Sequence, residues 1–332
     1  MNTDIATNGN LVISLDFEIN WGVWDVVKFD QYKNNLLGVR KVIPTLLQLF
    51  DKYSIRATFG TVGLLFFQNR QELEEGLPGK RPAYEDPAIS PYENHIKEIG
   101  VNEEDDPFHF APSLIKLIEE SGQEVGCHTF CHYYCLESGQ TVEAFAADLR
   151  AAKNVAARNG IILKSLIFPR NQFNSEYLQV CKDEGFSCYR GNEKSWVYKP
   201  HQHSSETYMW RIIRTVDAYI NLTGHHCYML KGQGGLPFNI PSSRFLRPYS
   251  KKLAFFDRIK LKRITDGMSY AAKNGLTYHL WWHPHNFGVN LEKNISFLEK
   301  ILIHYKKLSV KYNFQSRNMQ QVAELLSSSN EQ

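Results

Sequence analysis

Residues 11–18 read LVISLDFE, and the fold turns on how that run is taken. Its start is apolar and rich in β-formers, so it reads as a strand, yet it ends in two carboxylates, Asp16 and Glu18, with Trp21 and Trp24 just beyond. Comparable short runs recur as IRATFGTV (55–62), QEVGCH (123–128), KSLIFP (164–169), FSCYR (186–190), RIIRTV (211–216) and LTYHLWW (276–282). Between them lie segments of helical periodicity at 33–52, 111–121, 141–159, 174–184, 252–274 and 291–308, with a last helix near 316–328. In the first of these, Val42, Leu46 and Leu49 keep the three-to-four spacing of an amphipathic helix. Strands alternating with helices predict an α/β fold whose strands are parallel and joined by crossover helices. Seven strands are one fewer than the eight-stranded barrel and too many for a small open sheet.

Two stretches break the rhythm. Residues 69–108 are rich in Pro, Gly and acids, and residues 222–250 contain GQGG at 232–235 and PSSRFLRPYS at 241–250. Loops of this length are usually functional or mobile. With no repeat, low-complexity tract or linker, the chain reads as one domain over 1–332 carrying two insertions.

The bulk properties exclude several classes. With 43% hydrophobic and 22% charged residues in 332, the chain has the make-up of a soluble, enzyme-sized protein. A net charge of +3 is too small and scattered for a nucleic-acid partner. The densest basic run, KKLAFFDRIKLKR at 251–263, reads as a solvated helix face, with contact to an anionic sugar carrier or a membrane surface as the alternative. No apolar run approaches the ~20 residues of a membrane span, and MNTDIATNGN shows no signal peptide. The six cysteines lack the spacing of a disulfide framework, so reduced thiols and a cytoplasmic location are expected.

Four strand ends carry chemistry. In GCHTFCHYYC (126–135) the thiols Cys127, Cys131 and Cys135 lack the C-x2-C spacing of zinc or redox pairs, whereas His128 and His132, four apart, would share a helical face and one ion. Asp16 and Glu18, two apart on a strand, point to one side and repel unless a cation lies beside them. The residues alone leave open which acid takes that cation. LTYHLWWHPHNFG (276–288) puts His283 and His285 at a strand end stopped by Pro284, and IFPRNQF (167–173) supplies Arg170, able to orient a carboxylate, and Asn171. Parallel α/β barrels assemble their sites at the C-terminal ends of strands. An acid pair, a His pair, an Arg and a late His are what a metal-dependent amide hydrolase needs.

In this order the motifs resemble those of the polysaccharide deacetylases (NodB homology, carbohydrate esterase family 4), over roughly 11–325. HTFCH matches the family's H-(S/T)-x-x-H motif, and RATFGTVG (56–63) looks like its second strand. The resemblance implies a distorted (β/α)7 barrel and a divalent metal held by Glu18, His128 and His132. Zinc is the first expectation, with cobalt, nickel, manganese or iron as alternatives. It further implies Asp16 as base, His283 as acid, Arg170 orienting Asp16, and hydrolysis of an N-acyl, usually N-acetyl, group on an amino sugar. SSRFLRPY (242–249) stands where the family's fourth motif would, and Arg247, Trp21, Asn171, His285 and Phe287 are candidate substrate contacts, while Trp24 reads rather as lid packing. The expected partner is a carbohydrate, free or carrier-linked, such as an intermediate of surface polysaccharide or O-antigen assembly. Competing readings are a hydrolase of N-formyl sugars or cyclic ureides on the same scaffold, a non-catalytic sugar-binding protein, and, more weakly, a glycosidase using Asp16 and Glu18.

Overall fold

The computed structural model describes residues 8–93, 95–199, 208–230 and 235–328; of GQGG, residues 232–234 lie outside them. The run that opens the chain is β1 (Asn10–Phe17), whose Leu11, Val12, Ile13, Leu15 and Phe17 are all fully buried. A strand apolar on both faces belongs in the middle of a parallel sheet. β1 indeed pairs in parallel with β2 (Ala57–Thr61) on one side and β8 (Thr277–Trp282) on the other, Leu15 lying opposite Phe59 and Trp282.

From β2 the sheet continues through β3 (Glu124–Cys127), β4 (Ser165–Leu166), β5 (Cys188–Tyr189) and β6 (Phe238–Asn239); beyond β8 comes β7 (Arg244–Phe245). β9 (Gln315–Ser316) adds to β1 off this path, and every pairing between these strands is parallel, with one antiparallel bridge from Tyr228 to Thr277 at the start of β8. The end strands β6 and β7 are not paired, so the curled sheet is a distorted (β/α) barrel left open there. All strand C-termini therefore face one rim.

The helices are α1 (Phe29–Tyr53), α2 (Arg70–Glu75), α3 (His95–Glu98), α4 (Pro112–Glu120), α5 (Val142–Arg158), α6 (Ser175–Asp183), α7 (Tyr208–Asp217), α8 (Asp257–Lys273), α9 (Leu291–Tyr312) and α10 (Met319–Ser328). α1 buries Leu36, Val39, Val42, Ile43, Leu46 and Phe50, one stripe at helical spacing. α5 starts where Thr141 accepts a hydrogen bond from the Ala144 amide, and its inner face carries the buried Asp148. Among the described residues no helix is long and apolar enough to cross a membrane.

Six of the seven expected strands are present. The exception is RIIRTV, which is part of α7 and not a strand. Met209, Ile212, Val216 and Ile220 recur at three-to-four spacing, and that period prevails over the β-propensity of its Ile and Val. In its place β6 and β7, two residues each, are too short to leave an apolar signature.

Candidate active site

The acids at the end of β1 converge on one point at the rim. Glu18 follows the strand by one residue, and its Oε2 lies 3.1 Å from His128 Nε2 and 3.2 Å from His132 Nε2. All three side chains are buried, and their ligand atoms lie within 4.8 Å of one another. Each imidazole is turned so that Nε2 is the free end. His128 Nδ1 donates to the Ile167 carbonyl at 2.8 Å. His132 Nδ1 meets the Tyr134 hydroxyl at 3.1 Å, and that hydroxyl donates to Asp25, also 3.1 Å away.

Three lone pairs facing each other in a buried space repel unless a proton or cation lies among them. One carboxylate oxygen and two anchored imidazole nitrogens are a donor set that suits a divalent ion. Burial would raise the Glu18 carboxyl, yet His283, His128 and His132 hold it well below its ordinary range. The approach is tight from above as well: a Cβ on Gly22 would sit 1.9 Å from the Glu18 carboxyl carbon.

His128 and His132 meet without a helix, contrary to the helical-face expectation. They lie in a loop after β3 in which Thr129 (φ 61°) and His132 (φ 60°) are left-handed. Thr129 Oγ1 donates to the His128 carbonyl and accepts from the Tyr133 amide, while Asp148 takes the amides of Phe130 at 2.6 Å and Cys131 at 3.1 Å. A carboxylate buried on α5 thus shapes the loop that presents both ligands.

Asp16 points into the same space from the last turn of β1. Arg190, one residue past β5 and 1% exposed, grips it twice, Nη1–Oδ1 at 2.5 Å and Nη2–Oδ2 at 2.8 Å. Burial pushes the Asp16 carboxyl up, but Arg190 overcomes it and holds the group ionised. Arg170 does not orient Asp16, as had been expected. It pairs with Asp25 at 2.5 Å and lies 3.9 Å above the Tyr134 ring, so it acts behind His132. Asn171 does reach the centre, accepting from Arg190 Nη2 at 3.1 Å. Arg170 and Asn171 are both left-handed (φ 52°), the kind of strained backbone that gathers at functional sites.

Below Asp16 a polar chain crosses the interior. Arg190 Nη1 donates to Ser14 Oγ at 3.2 Å, and Ser14 lies 2.9 Å from His279 Nε2. His279 Nδ1 donates to the Ile240 carbonyl at 3.1 Å, and burial pushes this imidazole down to about 3, so it is neutral and accepts from Ser14. Nothing in the sequence marked Arg190, Ser14, His279 or Asp148, since a buried polar residue has no periodicity of its own.

At the end of β8, His283 Nε2 lies 3.7 Å from Asp16 Oδ2 and 3.7 Å from Glu18 Oε1. Its Nδ1 carries no hydrogen bond. His285 stacks on His283 with ring centroids 5.0 Å apart, but it is 3% exposed and pushed down to about 3 by burial. It supports His283 from beneath and is shielded from substrate. Trp21 and Phe287 are likewise not sugar platforms. The Trp21 indole is buried and donates to the His109 carbonyl at 2.9 Å, and Phe287 is buried against Trp282. Trp24 stacks on His95, in keeping with lid packing. Arg170, Asn171, Arg247, Trp281 and His283 line one cavity of about 490 Å³ that opens beside the centre.

A sequence model of one family, described as polysaccharide deacetylase, matches residues 26–189, about half of the chain. The chain belongs to the polysaccharide deacetylase family. The matched stretch contains β2, HTFCH and Arg170; Asp16, Glu18 and His283 lie outside it and enter the site through the geometry above. No curated protein matches the sequence. Among solved structures, a putative polysaccharide deacetylase from Mycobacterium smegmatis is 13% identical, with 97% of this chain and 92% of that one covered at a TM-score of 0.61. An allantoinase, Puue, is 9% identical, with 95% and 88% covered at a TM-score of 0.53. At these identities the likeness is one of fold.

Proposed function

We propose that the chain is a metal-dependent hydrolase that removes an N-acyl group, N-acetyl first among candidates, from an amino sugar or glycan precursor. The observation that carries this reading is the convergence of two different acids at one histidine. His283 lies within 3.7 Å of Glu18, which faces two imidazoles, and of Asp16, which faces an arginine. One carboxylate is therefore set to bind a cation and the other to take a proton.

Glu18, His128 and His132 would hold the ion, with zinc the first expectation from a ligand set of two imidazoles and one carboxylate. Such an ion lowers the pKa of water to about 7 and polarises a carbonyl oxygen. Asp16, kept ionised by Arg190, accepts the proton of the attacking water while retaining lone pairs not used by the guanidinium. His283 delivers a proton to the departing amine from the cavity side. Asn171 and Arg190 fix where Asp16 can lie, and the buried His285 keeps His283 from swinging inward. The six cysteines are unpaired and five are buried, which suits a reducing compartment, and we place the enzyme in the cytoplasm as one domain acting on surface-polysaccharide or O-antigen precursors.

The test is Asp16→Asn. The variant keeps its metal and loses acetate release from N-acetylated amino sugars. Turnover at the wild-type rate would mean that the base lies elsewhere, and acetate-free hydrolysis of a cyclic ureide or N-formyl sugar would move the substrate class.

A further inference from the structure

We infer that the cavity beside His283 is an anion site and that the substrate carries a phosphate or diphosphate ester. This deepens the proposed function and rests on it for the amino-sugar part only. Among the described residues that line the cavity, six are cationic (Arg170, Lys199, Arg211, Arg214, Arg244 and Arg247) and one, Glu193, is acidic, while Asp25 and Asp217 behind the wall pair with Arg170 and Arg244. The same wall includes His283, so an anion held there is part of the molecule whose amide reaches the reaction centre.

Two arginines show that this is more than a solvated basic surface. Arg244 is 4% exposed and lines the cavity, and Asp217 accepts its Nη1 at 2.6 Å, so one guanidinium is fixed in the wall by a buried ion pair. Arg247 is half-buried, and among the described residues no carboxylate pairs with its guanidinium. Burial pushes its pKa down, and repulsion from Arg214 and Arg244 adds to that. An oxyanion in the cavity supplies the counter-charge that Arg247 lacks, and planar guanidinium groups bind phosphate through two parallel hydrogen bonds. The volume of about 490 Å³ accommodates a sugar with its phosphate ester. A neutral polysaccharide gives Arg247 no counter-charge.

The site is tested first without turnover. Inorganic pyrophosphate is titrated calorimetrically into chelator-treated protein, so that binding to a metal ion is removed. Saturable one-to-one binding is expected, weakened about tenfold or more in Arg247→Gln and partly restored in Arg247→Lys. Absence of binding, or equal affinity in Arg247→Gln with an unchanged circular dichroism spectrum, would overturn the site. Acetate release is then compared among UDP-N-acetylglucosamine, a short-chain polyprenyl-diphosphate N-acetylglucosamine and neutral chitotetraose. Either diphosphate should exceed the neutral oligomer at least about tenfold in kcat/KM, and the better of the two identifies the nucleotide or the lipid source. Preference for chitotetraose would overturn the substrate assignment and leave the hydrolase intact. Pyrophosphate binding with no acetate released from any of them would sink the hydrolase and leave the anion site standing.

Discussion

Among the described residues two histidine–acid clusters invite comparison, and we propose that the first of them holds an ion. In the first, Glu18 faces the Nε2 atoms of His128 and His132, and each Nδ1 is anchored elsewhere. In the second, at the end of the 69–108 insertion, Asp106 takes His109 Nδ1 at 2.7 Å and also accepts the amides of Gly100 and Phe108. His109 Nε2 then meets Asn20 at 2.9 Å and His95 at 3.0 Å, and His95 lies stacked on Trp24. The residue types are almost the same. What differs is which end of the imidazole the carboxylate holds. An acid on Nδ1 orients a ring, whereas an acid that joins two Nε2 atoms completes a ligand set. The second cluster is thus a clasp that ties the insertion to the segment after β1.

The comparison can be broken by matched substitutions. The largest effect is expected at the first cluster, where His128→Ala lowers kcat/KM at least about a thousandfold, roughly 4 kcal/mol of transition-state stabilisation. His109→Ala should leave kcat/KM within a few-fold, while costing about 1–3 kcal/mol in urea unfolding through the stranded Asp106. Equal losses of activity at both positions would erase the distinction. Gly22→Ala should mimic the first result without replacing a proposed ligand, because its methyl occupies the place of the Glu18 carboxylate; wild-type activity in that variant would mean Glu18 is not held as described.

The arginine–aspartate pairs Arg190–Asp16 and Arg170–Asp25 sharpen the same point. Arg190→Met leaves the buried Asp16 carboxyl with no strong donor to hold it ionised, a loss of about 3–5 kcal/mol in urea unfolding together with loss of turnover. Arg170→Met should cost only about 1–2 kcal/mol, since Asp25 keeps the Tyr134 hydroxyl, and should weaken metal binding about tenfold by loosening His132. The reverse ranking would restore Arg170 as the partner of the base. The smallest effect concerns Asp217, whose carboxyl is pulled from 3.8 to about 2 chiefly by Arg244, against burial. A depressed acid pKa gives stability that is full above the unfolded value and lost as pH falls through the folded one. The Tm should therefore decline between about pH 4 and pH 2, and Asp217→Asn should flatten that stretch.

Sequence alone carried much of this because the chemistry sits at strand ends. LVISLDFE, QEVGCH and LTYHLWW each show an apolar run stopping at titratable residues, and a break in hydrophobicity is visible in one dimension. Arg190 escaped notice because β5 is two residues long and its pairing with Asp16 spans 174 positions. Pro169 and Asn171 around Arg170 advertise a loop, while a lone Arg after FSCY advertises nothing. The H-x3-H spacing does bring His128 and His132 together, but through a left-handed loop and not along a helical face, since both bring residues four apart into proximity. RIIRTV failed for the opposite reason: its β-branched residues looked like a strand, and its helical period needed the flanking Met209 and Ile220 to show.

The account stands or falls on whether Glu18, His128 and His132 form a metal centre. The direct measurement is the metal content of the gently purified protein by plasma mass spectrometry, with His128→Ala and His109→Ala alongside. Near-equimolar transition metal in the wild type and in His109→Ala, with almost none in a folded His128→Ala, is the expected result. Equal metal in all three, or none in the wild type, would contradict it.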